Sequence, residues 1–243
     1  MQSKEHISAV VPALSSFGTD FGAPSEKRAR PLVESPAESF AYSKLKRLID
    51  ILLVLAASPI WVPLCVGLAL LVRFTSRGPS FFSHRRIGYG GGFFSMWKFR
   101  TMCVNAAEVL EHHLAAHPED RAEWAATHKL KNDPRVTSMG RFLRQTSLDE
   151  LPQLWNVLTG QMSLVGPRPI VAAEAEKYGT DLAYLLAVKP GITGLWQTSG
   201  RSMLTYDERV ALDRRYVEEW SLQGDLVLLV RTVNKVAASE GAY

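Results

Sequence analysis

From Ile51 to Val72 the chain reads ILLVLAASPIWVPLCVGLALLV, without one charged residue. As a helix rising about 1.5 Å per residue the run is ~33 Å long, enough to cross the hydrocarbon core of a bilayer. Ser58-Pro59 and Pro63 lie near its middle, where proline removes a backbone donor and crowds the preceding turn, so a break is expected there. Lys44, Lys46 and Arg47 precede the run, and Arg73, Arg77, Arg85 and Arg86 follow it. A spanning helix leaves its basic flank on the cytoplasmic side, so basic flanks at both ends predict a re-entrant segment that dips in and turns back. A proline-kinked spanning helix is the alternative. The run is too long and too far from Met1 for a signal peptide.

Elsewhere the pattern is that of a folded domain. Residues 1–40 carry Pro12, Pro24, Pro31 and Pro36 among Ser, Ala and Gly without periodicity and read as a disordered tail. Aromatic-rich segments around Gly88-Tyr89-Gly90-Gly91-Gly92 predict a β-hairpin, with Lys98 and Arg100 on one face of its second strand and Trp97 and Phe99 on the other. Asn105 to Lys129 looks helical but interrupted at Pro118. Ser147 and Glu150 have capping-box spacing, and Leu148, Leu151, Leu154, Trp155 and Leu158 form a stripe, which predicts one short amphipathic helix ending near Gly160. Tyr206–Trp220 and Asp225–Val236 have helical spacing too, the latter with Leu226, Leu229, Val230 and Val233 on one stripe facing either the core or lipid headgroups. The division expected is a tail (1–40), a membrane-associated segment (41–77) and a cytoplasmic domain (78–243). The fold class is α+β: a mainly helical compact domain with a small β-hairpin, anchored by a re-entrant, broken hydrophobic helix.

Composition narrows the setting. Charged residues make up 21% and hydrophobic residues 47%, with formal net charge +4 and a pI near 9.1. The basic residues gather near the apolar run and the later motifs, which favours anionic lipid or phosphate ligands over nucleic acid. Cys65 and Cys103 offer neither a disulfide framework nor a CxxC motif, and a reducing cytoplasmic setting is natural. The glycines have neither GxGxxG nor GxxxxGK[ST] spacing. His113 and His117 stand at i and i+4, but no third ligand is fixed by spacing and HExxH is absent, so a polar helical face is the better reading.

Chemistry concentrates between Asn132 and Pro169. The acid pair Asp149-Glu150 could serve only helix capping. However, Arg135, Arg141 and Arg144 lie upstream and Arg168 stands downstream between two prolines, so carboxylates and guanidiniums could converge on a divalent cation and a diphosphate. Asp133-Pro134 reads first as a turn, and Trp196 as a packing residue rather than a stacking platform.

KFRTM (Lys98–Met102), DPRVT (Asp133–Thr137), GRFLR (Gly140–Arg144), TSLDELPQLWNVL (Thr146–Leu158), MSLVGPRP (Met162–Pro169) and KPGITGLWQTSGR (Lys189–Arg201) occur in order. Over about residues 42–243 the chain resembles the bacterial sugar transferases, the monotopic phosphoglycosyl transferases, and most of all members that initiate exopolysaccharide synthesis. The resemblance implies transfer of a sugar 1-phosphate from a UDP-sugar to undecaprenyl phosphate with release of UMP, on the cytoplasmic face of a bacterial inner membrane. It implies Asp149 as the nucleophile of a covalent phosphosugar intermediate, Glu150 beside it, and Mg²⁺ held by Asp149 and Glu150. It makes Lys98, Arg100, Arg144, Arg168 and Arg201 phosphate or nucleotide contacts, and Ser58-Pro59 the membrane break. The residues do not identify the sugar, galactose and glucose being family-level expectations, and a homo-oligomer is left open. A membrane-anchored scaffold for polysaccharide assembly and a metal-dependent diphosphate hydrolase are the competing readings.

Overall fold

The computed structural model describes residues 41–127, 130–200 and 204–237; the expected tail (1–40) and Arg201 lie outside the described residues. A π-helical turn, Ala41–Lys46, leads into a long helix, α1 (Arg47–Thr75). A hairpin of β1 (Phe81–Ile87) and β2 (Phe93–Phe99) follows, then α2 (Ala106–Ala116), α3 (Pro118–Thr127) and α4 (Ser138–Gln145). A 3-10 turn, Leu148–Glu150, precedes α5 (Gln153–Leu158) and β3 (Ser163–Val165). The chain then forms α6 (Ala175–Tyr178), α7 (Leu182–Ala187), β4 (Gly191–Thr193), α8 (Leu195–Ser199), α9 (Tyr206–Glu218) and α10 (Leu222–Ala237).

The α+β class is as expected: helices predominate, and the aromatic segments flanking the glycine turn form a two-stranded sheet. The interruption at Pro118 separates α2 from α3. A second sheet was not foreseen: β3 pairs with β4 in parallel, Ser163 opposite Gly191 and Val165 opposite Thr193. The expected break at Ser58-Pro59 does not end the helix, since α1 is helical through both Pro59 and Pro63. Each proline forfeits one backbone donor, but its fixed φ is itself helical, so the run continues without those bonds. Its stretch Ser58–Thr75 is, by length and composition, able to cross a membrane and is mostly unburied.

The chain divides into two compact units. One comprises the described residues within Met1–Ala57, Ser83–Met96 and Gln153–Gly241. Its core joins Val165, Val188, Tyr216, Val217, Trp220 and Leu228. Through that core runs a polar hub, in which buried Asp225 accepts from Lys46 Nζ at 2.6 Å, Tyr216 Oη at 2.9 Å and Trp220 Nε1 at 2.9 Å. Asp50 accepts from Ser163 Oγ at 2.7 Å and from the Leu164 amide. Arg47 donates to the carbonyls of Val157 and Leu158, satisfying the open C-terminus of α5. Lys46 and Arg47 are therefore engaged by the fold, and they carry less weight as membrane-flanking charges than their place beside the apolar run suggests. Of the two faces open to α10, Leu228 is buried, whereas Leu226, Val227, Val230 and Val233 are exposed, so the helix carries apolar side chains on both.

The other unit comprises the described residues within Ser58–Phe82 and Trp97–Pro152. Leu68 and Val72 of α1, Phe99 of β2 and Leu143 of α4 form its core, with Met139, Leu148 and Leu151 packed against it. Thr137 caps α4 by accepting from the Gly140 amide at 2.9 Å. A side chain at Gly140 would place its Cβ 2.0 Å from the Thr101 carbonyl oxygen, so glycine is what lets α4 lie against the end of β2.

Replacing Asp225 by Ala should leave buried Lys46 without its hydrogen-bonded counter-charge, only the charge of Asp50 acting on it, and cost about 3–5 kcal/mol. Denaturant unfolding of the detergent-solubilised protein measures this, and an unchanged midpoint would refute the hub.

Candidate active site

The acid pair sits on the 3-10 turn, and the turn is short for a local reason. Pro152 has no N–H to offer the Leu148 carbonyl, which instead accepts from Leu151 at 3.1 Å. The single amphipathic helix expected over this stretch is thus split into a turn and α5. Ser147 does not form the expected capping box: its side chain makes no cap bond and its backbone is left-handed, at φ 57° and ψ 15°. A capping residue needs extended backbone angles to aim its oxygen at the following amides. Ser147 is the only non-glycine with positive φ among the described residues, and it stands two positions before Asp149. Such strain persists where the surroundings over-determine it, as they do at functional sites. The expected stripe is also redistributed. Leu148 and Leu151 pack inward, but α5 buries Gln153, Asn156 and Val157 and leaves Trp155 56% exposed.

Lys98, near the end of β2, reaches both acids. Its Nζ lies 2.6 Å from Glu150 Oε1 and 3.4 Å from Asp149 Oδ2. Asp149 is buried, and burial pushes its carboxyl above the ordinary carboxylate value. Lys98 pulls it back, Glu150 raises it again, and Arg144 adds a smaller downward pull. Arg144, in the last turn of α4, is held by its Nε–H donated to Thr101 Oγ1 at 3.0 Å. Beside it Asp133 accepts from Arg135 Nε at 2.8 Å and Nη2 at 2.6 Å, and from the Arg135 amide at 3.0 Å. Burial pushes Asp133 upward, but the Arg135 hydrogen bonds outweigh it and hold the carboxyl below its ordinary value. Asp133 is therefore more than a turn former. Thr101, which orients Arg144, had no signal of its own in the sequence beyond its place in KFRTM.

Of the residues singled out, Lys98, Arg144, Asp149 and Glu150 come together. Arg100 does not join them: β2 ends at Phe99, and the Arg100 side chain donates to Ser76 instead. Arg168 belongs to the other unit, on the segment after β3, where its charge acts on Asp213 of α9. Burial pushes the Asp213 carboxyl up to about 7, against the hydrogen bond from Tyr178 and the charge of Arg168. Trp196 packs beneath the Arg209 guanidinium, 5.0 Å from its ring centre.

Two carboxylate oxygens that share one ammonium can also share a hard divalent cation. No cluster of three or more His, Cys, Asp or Glu occurs among the described residues, so such an ion would need further oxygens from substrate and water. That is how Mg²⁺ commonly binds beside phosphates. The arrangement thus brings together a partly desolvated carboxylate, a second carboxylate next to it, and cations able to face anionic oxygens.

Residues 41–239 match the bacterial sugar transferase family, and the chain belongs to it. It is 50% identical over 199 residues to an undecaprenyl-phosphate galactose phosphotransferase of Salmonella typhimurium, covering 82% of this chain and 42% of that one. It is 48% identical over 198 residues to the exopolysaccharide production protein ExoY of Rhizobium meliloti, covering 82% of this chain and 88% of that protein. With a UDP-glucose:undecaprenyl-phosphate glucose-1-phosphate transferase of Escherichia coli it shares 40% identity over 221 residues, covering 88% of this chain and 44% of that one. The chain thus spans about two-fifths of several relatives and nearly all of others.

The charges around Asp149 set signed expectations for pH dependence. Because burial raises its pKa, the acid limb of an Asp149-dependent reaction should lie higher than an ordinary aspartate would set it. Lys98→Ala removes a downward pull and should move that limb to higher pH, whereas Glu150→Gln removes a like charge and should move it lower. Single-turnover profiles of the two variants check this, and shifts in the same direction would contradict it.

Proposed function

We propose that this protein transfers a sugar 1-phosphate from a UDP-sugar to undecaprenyl phosphate, starting an exopolysaccharide repeat unit. The observation that carries the reading is the Lys98 ammonium shared by buried Asp149 and Glu150, with Arg144 acting on Asp149. The names borne by its relatives support the same substrates.

In this reading an Asp149 carboxylate oxygen attacks the β-phosphorus of the donor. A new P–O bond forms to the carboxylate as the bond from β-phosphorus to the bridging oxygen breaks, and UMP leaves with that electron pair. An oxygen of the lipid phosphate then attacks the same phosphorus, and the Asp149 carboxylate departs intact. A single nucleophile serves both substrates in turn, which gives ping-pong kinetics. Lys98 and Arg144 hold and neutralise phosphate oxygens that would otherwise repel an anionic nucleophile. Glu150 cannot act from the same direction as Asp149, since adjacent side chains on a 3-10 turn diverge by roughly 120°. Its role is to orient cations and the acceptor's proton. Mg²⁺ bound by Asp149 and Glu150 would supply further neutralisation of the diphosphate.

The apolar helix α1 supports a position at the inner-membrane surface, where a lipid phosphate and a soluble nucleotide sugar can meet. The exposed cations at the two ends of α1, Lys44 before it and Arg73 and Arg77 at its end, favour a re-entrant course with both ends on the cytoplasmic side, the helix bending at Pro59 and Pro63 rather than ending there. In a background lacking Cys65 and Cys103, cysteines at exposed positions 44 and 77 should both react from the cytoplasm; labels on opposite sides would show a spanning helix instead.

The enzymatic test is UMP release from a panel of UDP-sugars with Mg²⁺, with and without undecaprenyl phosphate. Wild type should show sustained release only with acceptor, and Asp149→Asn none. Sustained release without acceptor would indicate a hydrolase, and no release from any donor a scaffold.

A further inference from the structure

Arg100 is a buried cation that the acid pair does not use. Its backbone amide donates to the Ser80 carbonyl at 2.9 Å, which fixes its position just beyond β2. Its side chain reaches the residue after the end of α1: Nη2 donates to the Ser76 carbonyl at 2.9 Å and to Ser76 Oγ at 2.7 Å. Nε and Nη1 are shielded from solvent and have no hydrogen-bond partner among the described residues. Only 8% of Arg100 is exposed, and no carboxylate pairs with it among the described residues. Burial, and then the like charge of Arg73, pulls its pKa below the usual arginine value. A shielded donor without an acceptor costs about 1–3 kcal/mol, and more when it carries charge. One anion with several acceptor oxygens would answer both deficits.

The surroundings say what kind of anion. Arg73 and Arg77 are exposed at the end of the apolar helix, and between them Phe74 is 83% exposed. Phe81 and Phe82, at the start of β1, are exposed as well. Cations interleaved with exposed aromatic side chains suit headgroup depth, where lipid phosphates lie. The cover over the guanidinium is thin. Gly78 takes φ +109°, and a Cβ there would lie 2.2 Å from Arg100 Nη1 and 2.7 Å from a Val104 methyl. The turn therefore rests directly on the guanidinium, and only glycine permits it.

We propose that Arg100, assisted by Arg73, binds the phosphate of a membrane lipid, and that the Ser76–Gly78 turn lifts to admit it. This rests on the membrane-surface reading above and gives the acceptor side of the reaction a cation separate from Lys98. Two lipids share the required chemistry: the polyprenyl phosphate acceptor, and an anionic phospholipid of the bilayer.

The test is direct binding, independent of turnover. Full-length protein in detergent is titrated with polyprenyl phosphate, with the polyprenol lacking phosphate, and with phosphatidylglycerol against phosphatidylcholine. Wild type should bind polyprenyl phosphate at least tenfold more tightly than polyprenol. Arg100→Gln should abolish that preference, Arg100→Lys restore part of it, and Arg73→Gln, at an exposed position that leaves the fold alone, weaken it severalfold. Asp149→Asn should retain it, so that failure of the nucleophile assignment is distinguishable from failure of this one. An Arg100-dependent preference seen only for phosphatidylglycerol would support the lipid-phosphate site and name the bilayer as its source. Undiminished preference in both Arg100→Gln and Arg73→Gln, or its loss in Asp149→Asn alone, would overturn the proposal.

Discussion

The arrangement depends on one small core. Leu68 and Val72 of the apolar helix pack with Phe99 and Leu143, and Leu148 and Leu151 join them from either side of the acid pair. The turn bearing Asp149 therefore cannot shift along the helix without opening that core. Close packing holds the turn bearing Asp149 in place against Leu68 and Val72 of the apolar helix. In the proposed reaction between a lipid phosphate and a soluble nucleotide sugar, that contact would set the depth of the nucleophile.

Upon that core the electrostatics are deliberately unfinished. Asp149 is buried enough that its charge is poorly solvated, and the Lys98 ammonium is divided between it and Glu150. A fully paired carboxylate would be stable and unreactive; a solvated one would have to shed water before attacking. The left-handed Ser147 adds local strain on the same turn. Arg100 extends the pattern, being a charge whose internal partners are two oxygens of Ser76 and no carboxylate among the described residues. Arg100 is thus suited to an anion, and the acid pair, two carboxylates on one ammonium, to a cation.

Much of this was legible in the chain. The glycine turn between aromatic segments announced the hairpin, and the arginines near the acid pair pointed to a meeting of guanidinium and carboxylate that Arg144 makes, whereas Lys98 entered only through the family resemblance. What escaped was nonlocal or too short to leave a pattern. Strands β3 and β4 have three residues each, too few for an alternation to register. Asn156 is buried because Ser95 and Gln161 accept its amide protons, and partners 61 and 5 residues away leave no periodic trace. Lys98 and Arg100 do share a strand face by spacing, but the strand ends at Phe99 and the two side chains go to different partners. Lys46 was counted with the membrane flank because nothing in the local sequence shows that Asp225, 179 residues away, claims it.

The central claim is that Asp149 carries the sugar phosphate between the two substrates. Intact-protein mass spectrometry after incubation with a donor UDP-sugar and Mg²⁺, without acceptor, tests it most directly. The account predicts an added mass of one sugar phosphate, located on Asp149 by peptide mapping, absent in Asp149→Asn and lost when undecaprenyl phosphate is added. Turnover by a protein that never gains this mass under quenched, rapid sampling, or an adduct located on another residue, would contradict it.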